Sequence, residues 1–314
     1  MIKELLQHNY YLNGFSTYKI GGAAEYFLAV KKEDELRLAV EWAKSKNHPI
    51  TILGGGSNVL INDQGVRGLV IHLENKNIIL NEKTIVVGAG YDVGDLARFA
   101  LVHNLSGLEW AIGIPGSLGG AIRGNAGAHG GSFDVITPKI TIFNIETLSF
   151  HVLSRPECGF AYRHSRVKDD PKLVVWDATL ELNEGDKEIM EKHIEEYLDY
   201  RRNSQPKEPS AGCIFKNFFA KDIGAVNPAL YEQAEKDNKI RGGKIGAGYL
   251  IEQAGLMGYR QGGAEISQKH ANFIINTDQA KSSDIVKIIE FVKKEIKNKY
   301  GVIMEEEVQY VGFN

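Results

Sequence analysis

Between residues 113 and 131 the chain reads GIPGSLGGAIRGNAGAHGG, eight glycines in nineteen positions. Glycine inside a helix or strand costs about 0.5–1 kcal/mol relative to alanine, so a stretch this rich is not expected to form a regular element. Its composition is also too ordered for a flexible linker, which leaves backbone shaped for close approach. A second run, Gly54, Gly55, Gly56, Ser57 and Asn58, follows strand-like Ile50–Leu53. Residues without Cβ let consecutive N–H groups converge on a phosphate, and Ser and Asn side chains add donors. A single GGGS run reads as a tight turn; two glycine segments in one chain favour anion binding.

Several common nucleotide sites are excluded. No GxxxxGK[ST] occurs; GGKIG at 242 lacks the spacing and the hydroxyl, and GAGYDVG at 88–94 has one residue too many for a GxGxxG fingerprint. Kinase, ATPase and Rossmann dehydrogenase readings therefore lose their main support. With 37 basic and 40 acidic residues the net charge is −3, which gives no electrostatic footprint for nucleic acid. An anionic ligand must be held by a local constellation. The nine histidines show no HxH or HExxH spacing, so no catalytic metal is expected. Cys158 and Cys213 are too far apart in sequence for a CxxC pair and too few for a disulfide framework, consistent with a reducing compartment. The longest apolar runs are strand-sized, far short of the ~20 residues of a membrane helix. The opening MIKELLQHNYYLNG carries no signal-peptide pattern, so a cytoplasmic protein is expected.

Along 314 residues, more than one core usually organises. The first third alternates strand and helix signals. Leu36, Ala39, Val40 and Ala43 recur at helical spacing behind Glu33, Asp34 and Glu35, and strands are expected at 50–53, 68–73 and 84–90. Another helix carries Val93, Leu96, Ala97 and Ala100 on one face; strands follow at 140–146 and 173–182. A helix at 188–206 ends in a basic, proline-containing break, where a domain boundary is expected. Beyond it come a helix near 248–255, a strand at 271–276, and an amphipathic helix with Ile285, Ile288, Ile289, Val292 and Ile296 at offsets 0, 3, 4, 7 and 11. VIMEEEVQYVG closes the chain as an alternating strand, which puts Glu305, Glu307 and Gln309 on one face and Met304, Glu306 and Val308 on the other.

Eight strings in one order, TYKIGG (17–22), LGGGSNVLI (53–61), the glycine cluster, FAYRHS (160–165), PSAGCIFKN (209–217), LIEQAGLMG (250–258), KHANFIIN (269–276) and EEEVQYVG (305–312), resemble the UDP-N-acetylenolpyruvoylglucosamine reductases. KHANFIIN and the compact YRHS-to-GCIFKN spacing look like the subclass without an extra tyrosine-bearing loop. The resemblance covers about residues 14–312 and implies an α+β fold: a two-subdomain FAD-binding scaffold of the PCMH or vanillyl-alcohol-oxidase type (1–75 and 76–205) plus a C-terminal α+β substrate-binding domain with a catalytic strand (206–314). It implies a cytoplasmic monomeric oxidoreductase of peptidoglycan precursor synthesis, with small-molecule partners and neither nucleic acid nor membrane. NADPH would give a hydride to FAD; reduced FAD would pass one to C3 of the substrate's enolpyruvyl ether, and C2 would then be protonated, yielding UDP-N-acetylmuramate.

By that resemblance Gly54–Asn58 line the flavin pyrophosphate, joined by Val59, Leu60, Ile20, Gly21 and Gly22. Gly113, Ile114, Pro115, Gly116, Ser117, Gly119, Gly120, Asn125, Ala126 and Gly127 are the further cofactor contacts, and Pro115–Gly127 closes over the flavin and ribityl chain. Arg163 matches the cation that binds the substrate carboxylate, for which a planar guanidinium with two parallel donors is suited. Glu307 matches the family's glutamate at the same end of the substrate, and Cys213 stands where the family usually has the serine that delivers the C2 proton. A thiol with an ordinary pKa of about 8.5 is mostly protonated at neutral pH and can do that work; the plainer reading is a small buried hydrophobe. Lys216 and Asn217 are expected to contact substrate, with Tyr162, Glu252, His270 and Asn272 beside them. Arg201, Arg202 and Lys207 either reach a pyrophosphate or form a solvated helix end. Phe218 replaces a family proline, and 220–244 fits no motif.

Two rival functions remain: another flavoenzyme on the same scaffold, and a non-catalytic nucleotide-binding module. The first has no need of Cys213, Lys216, Asn217 and Glu307, and the second no need of Arg163 and Glu307.

Overall fold

The computed structural model describes residues 2–313 and divides into two compact units, each with its own apolar core. The first holds the residues up to Tyr10, Ala24–Gly56 and Val66–Asn203. The second holds Tyr11–Ala23, Ser57–Gly65 and the residues from Ser204 onward.

In the first unit a four-stranded sheet runs in the order Gln7–Tyr11, Ala23–Val30, Val66–Leu73, Ile50–Leu53. Val66–Leu73 is parallel to both its neighbours, and parallel pairing needs a crossover. Helix Glu33–Ser45 provides the one from Ala23–Val30 to Ile50–Leu53, burying Leu36, Ala39, Val40 and Ala43 as their spacing predicts. Glu35 accepts the Lys31 and Lys32 N–H groups at its start, at 2.8 and 3.1 Å. Strand Ala23–Val30 gave no alternating signal because it is apolar nearly throughout, with Ala24, Phe27, Leu28 and Val30 all buried. A second sheet, antiparallel in every pairing, is ordered Ser149–Ser154, Lys139–Asn144, Leu173–Glu181, Thr84–Gly88, Ile78–Asn81. Against expectation, the glycine cluster contains a regular element: Leu118–Arg123 is helical, and Leu118, Ala121 and Ile122 are buried. Their i, i+3, i+4 spacing anchors one turn and a half, which offsets the propensity cost of Gly119 and Gly120.

The second unit is built on helix Ser282–Tyr300, whose Ile285, Ile288, Ile289, Val292 and Ile296 face the core. Asp63 fixes its start, accepting the Ser282 N–H at 2.6 Å and the Ser282 hydroxyl at 2.8 Å; Gly301, at φ +73°, ends it in the left-handed conformation. Val59–Ile61 pairs in parallel with Gln309–Val311. Residues 220–244, unassigned from sequence, fold as helices Ala220–Val226 and Pro228–Lys236 followed by the short hairpin Ile240–Arg241 and Lys244–Ile245. Phe218 pairs with Ile245 at the edge of that hairpin. Among the described residues no helix is long and apolar enough to cross a membrane.

Candidate active site

In the first unit the two glycine segments meet. Gly55 N–H donates to the Ser117 hydroxyl at 3.0 Å. A Cβ on Gly55 would lie 2.6 Å from Gly116 Cα and Ser117 N, and one on Gly54 would lie 2.6 Å from Ser117 Oγ. Segments some sixty residues apart are thus pressed backbone to backbone, which only glycine permits. The start of helix Leu118–Arg123, with Ser117 at its N-cap position, is held from the other side by Leu118 N–H to Tyr91 O and Gly119 N–H to Ala89 O, both 2.8 Å. His72 supports the base of the shorter loop: its Nδ1 lies 3.2 Å from Leu53 O, and burial lowers the ring's pKa, which keeps it neutral at pH 7.

The far end of the long glycine segment builds the seat of Arg163. Arg163 Nη2 donates to Gly127 O at 3.0 Å, and the guanidinium lies 5.3 Å from the Tyr162 ring centroid. Arg163 itself adopts φ +55°, a conformation uncommon for a side chain of this size. The turn is over-determined: Lys168 Nζ donates to Arg163 O at 2.9 Å, Ser165 Oγ to Arg123 O at 2.7 Å, and Asn125 Nδ2 to Ala161 O at 2.9 Å. Strain of this kind persists only where surrounding bonds enforce it and gathers at functional sites. Asn125 also accepts the Asp134 N–H at 3.0 Å and is only 5% exposed. Both ends of its amide therefore bind the protein's own backbone.

Arg202 pairs with Asp199 one turn earlier on the exposed helix Lys187–Ser204, which favours the solvated helix-end reading for that arginine. Arg201 packs across Gly113 instead, its Cδ 3.1 Å from where a Cβ on that glycine would stand.

In the second unit two extended segments some ninety residues apart lie side by side. Lys216 N–H donates to Glu305 O at 2.9 Å and Glu307 N–H to Ile214 O at 2.7 Å, bracketing an antiparallel bridge between Phe215 and Glu306. Cys213, half-buried, makes a second bridge to Phe273. Regular strand begins only at Gln309, later than the alternation suggested, yet the side chains do alternate. Met304 and Val308 are buried, and Glu306, behind them, forms a 2.8 Å ion pair with Lys293. The Glu306 hydrogen bond raises the Lys293 pKa against its desolvation. Glu305, 72% exposed at its side chain, pairs with Lys216 Nζ at 3.0 Å. Glu307 is half-buried, and its main-chain oxygen accepts from Asn58 Nδ2 at 3.1 Å and Gln309 Nε2 at 3.0 Å. Three consecutive acids thus have three different surroundings.

Asn272 clamps Phe215 through its side chain. It is 2% exposed, its Oδ1 accepts the Phe215 N–H at 3.0 Å, and its Nδ2 donates to Phe215 O at 2.8 Å. Asn217 Oδ1 accepts the Ala247 N–H at 3.1 Å, capping the first turn of helix Ala247–Gln253. His270 Nδ1 accepts the Asn272 N–H at 3.3 Å, and burial lowers its pKa, so the neutral ring carries its proton on Nε2. Glu252, exposed on that helix, acts on the His270 pKa in the opposite sense. Ile20 and Leu60 are part of the second core, which leaves only their main chains to face any ligand. A Cβ on Gly22 would lie 2.2 Å from Asp63 O, so the main chain packs directly against it. Phe219, Lys221, Tyr231 and Ile240 line a cavity of ≈ 510 Å³ in the 220–244 segment. No group of three or more His, Cys, Asp or Glu side chains arranged to hold a metal ion occurs among the described residues.

Residues 205–311 match the family model for the C-terminal domain of UDP-N-acetylenolpyruvoylglucosamine reductase, and residues 24–137 match one for an FAD binding domain. The UDP-N-acetylenolpyruvoylglucosamine reductase of Heliobacterium modesticaldum is 37% identical over 95% of this chain and 88% of its own length. That of Prochlorococcus marinus is 36% identical over 98% of each. The crystal structure of the UDP-N-acetylenolpyruvylglucosamine reductase of Thermus caldophilus aligns over 98% of both chains at 32% identity with a TM-score of 0.77. The chain belongs to the UDP-N-acetylenolpyruvoylglucosamine reductase family.

Within this family fold the two glycine segments form a backbone cradle in the unit that carries the FAD binding domain match. Gly54 and Gly55 leave no room for a side chain against Ser117 and Gly116, and Gly116 itself adopts φ +112°. Reasoning from sequence missed the supporting residues Asn58, Ser117 and Asn125 in their structural roles. An asparagine in a turn announces side-chain-to-backbone bonding in general, but nothing local names the partner.

Proposed function

We propose that this chain catalyses the NADPH-dependent reduction of the enolpyruvyl ether of UDP-N-acetylglucosamine to UDP-N-acetylmuramate, a step of peptidoglycan precursor synthesis. The observation that carries this reading is family membership over nearly the whole chain, together with the glycine cradle. FAD, when bound, supplies the redox chemistry by accepting a hydride from NADPH and delivering one to C3 of the substrate.

The chain's own residues hold charge and move a proton. Arg163, with one N–H group seated on Gly127 O, brings its guanidinium charge to the substrate carboxylate as that group gains enolate character. Glu307 hydrogen-bonds the substrate, its main chain fixed by Asn58 and Ile214. Cys213 Sγ gives its proton to C2 as the enolate electron pair forms the new C–H bond, leaving a thiolate that is reprotonated from solvent. Lys216 carries positive charge next to Glu305 and contributes to anion binding. The same reading takes the enzyme as cytoplasmic, because its co-substrates are soluble nucleotides of the cell interior, and as a monomer, which sedimentation of the purified protein tests.

Anaerobic spectroscopy tests the activity. The protein is expected to purify yellow, to bleach with NADPH, and to recover its colour on addition of the enolpyruvyl sugar nucleotide with UDP-N-acetylmuramate as product. A colourless protein that takes up no added FAD, or a bleached one that this substrate does not reoxidise, refutes the reading.

A further inference from the structure

We infer that Asn272 is a positioning residue for Cys213, its side chain acting as a one-residue strand partner that fixes the segment carrying the thiol. The inference rests on the proposed reductase reading for its catalytic consequence, though not for its geometry.

The main chain from Cys213 to Lys216 has partners on two sides. On one side lies the 305–307 segment, bonded through Glu305 O, Glu307 N–H and the Phe215–Glu306 bridge. On the other there is no continuous strand. Ile214 N–H donates to Asn272 O at 2.9 Å, and Cys213 bridges Phe273. The next rung is not main chain. The Asn272 amide accepts from Phe215 N–H at 3.0 Å and donates to Phe215 O at 2.8 Å, reproducing the paired bonds that one residue of an antiparallel strand gives its opposite number.

Only asparagine among small side chains offers an acceptor and a donor in one plane at this reach. Asn272 is 2% exposed and Phe215 1% exposed, so no water replaces the lost partners if the amide is removed. The same residue therefore sets three points of the segment: Ile214 through its carbonyl oxygen, and both polar groups of Phe215 through its side chain. Cys213 is two residues from the clamped Phe215 and next to Ile214. Beyond Phe215, Lys216 continues the segment to its bond with Glu305. A shift of the segment by a fraction of an ångström displaces the thiol directly, and a misplacement of about 1 Å costs roughly a hundredfold in rate.

The test uses the FAD-loaded enzyme with Asn272→Leu and Asn272→Asp. Leucine keeps the volume and removes both bonds. The aspartate carboxylate keeps the acceptor, loses the donor and turns an oxygen toward Phe215 O; protonation restores a donor, so this variant should recover as pH falls. Three quantities are read: the iodoacetamide alkylation rate of Cys213, separated from fully buried Cys158 by peptide mapping, the reduction of FAD by NADPH, and reoxidation of the reduced enzyme by substrate in H2O and D2O.

Positioning predicts a changed alkylation rate in both variants, near-normal reduction by NADPH, reoxidation slowed by about a hundredfold in the leucine variant, and an enlarged solvent isotope effect. It also predicts that lowering the pH returns the aspartate variant toward wild-type alkylation. Unchanged Cys213 alkylation in a folded variant overturns the inference, whatever happens to turnover. Equal loss in both half-reactions without a change in isotope effect also overturns it. Altered alkylation with undisturbed reoxidation upholds the positioning and refutes the proton-donor reading of Cys213 instead. If the leucine variant does not fold, the pH-reversible aspartate variant carries the same outcomes.

Discussion

Gly55→Ala is the sharpest test of the glycine cradle, because the backbone of Gly55 is not in the left-handed region and alanine is conformationally acceptable there. The whole effect must come from space. The new methyl group would stand 2.6 Å from Gly116 Cα and 2.6 Å from Ser117 N, against the ~3.5–4.0 Å at which carbon atoms rest. Both neighbours are main chain, so the two loops must part by about 1 Å. Overpacking on this scale costs about 1–3 kcal/mol. In the apoprotein the loops relieve this strain by opening; FAD binding must close them again, which weakens FAD affinity by a factor of about 5 to 150. Gly54→Ala meets only Ser117 Oγ at 2.6 Å, a hydroxyl that can rotate away at the expense of its bond from Gly55 N–H. That loss is about 0.5–1.5 kcal/mol, or roughly a 2- to 13-fold effect. Gly14, where an added methyl group would have no neighbour within 4 Å, is the control, and Gly14→Ala should leave affinity unchanged. Titration of the three apoproteins with FAD by flavin fluorescence gives the order directly. Wild-type affinity in Gly55→Ala, or a larger loss in Gly54→Ala, would show that the two loops do not form a cradle that FAD requires.

Arg163→Ala and Glu307→Gln should each slow reoxidation of reduced enzyme by substrate, by about a hundredfold or more for the arginine, while NADPH still reduces the flavin at near-normal rate in stopped flow; comparable losses in both halves would indicate a flavin or folding defect. Cys213→Ala should slow the same step by about 10²–10⁴-fold, and Cys213→Ser should retain much of the rate; alanine behaving as wild type, with normal solvent deuterium incorporation at C2, removes the thiol from the mechanism. For His270, burial lowers the folded-state pKa below the ordinary 6.5, so as pH falls from 6.5 the unfolded chain binds a proton before the folded one does. Stability from this group is therefore present above pH 6.5 and lost as the pH drops through the folded pKa. Thermal unfolding of His270→Gln should show a shallower decline over that acidic range than wild type, and parallel curves would refute the assignment.

The helix Ser282–Tyr300 was legible because its apolar residues repeat with the period of a helix, a property of neighbours in sequence. The same holds for Glu33–Ser45, and for the glycine segments as places of close approach, since a missing Cβ is a local fact wherever the chain goes. The motif strings likewise located Arg163, Cys213 and Glu307 as candidates without any coordinates. Strand Ala23–Val30 escaped because burial on both faces erases the alternation that marks a strand. Leu118–Arg123 escaped because its glycines outweigh, residue by residue, the anchoring by Leu118, Ala121 and Ile122 that only packing reveals.

The asparagines show the limit most clearly. Asn125, Asn217 and Asn272 have the same side chain that would bind a cofactor or a sugar nucleotide, and no local pattern distinguishes those uses. Each bonds protein main chain: Asn125 reaches Ala161 and Asp134, Asn217 caps the helix at Ala247, and Asn272 clamps Phe215 from fifty-seven residues away. Hydrogen-bond donors and acceptors are assigned by distance in space, and the chain brings those partners together only when the core has closed around them. Residue chemistry and periodicity were therefore written in the sequence, while the partner of each polar group was decided by the tertiary structure.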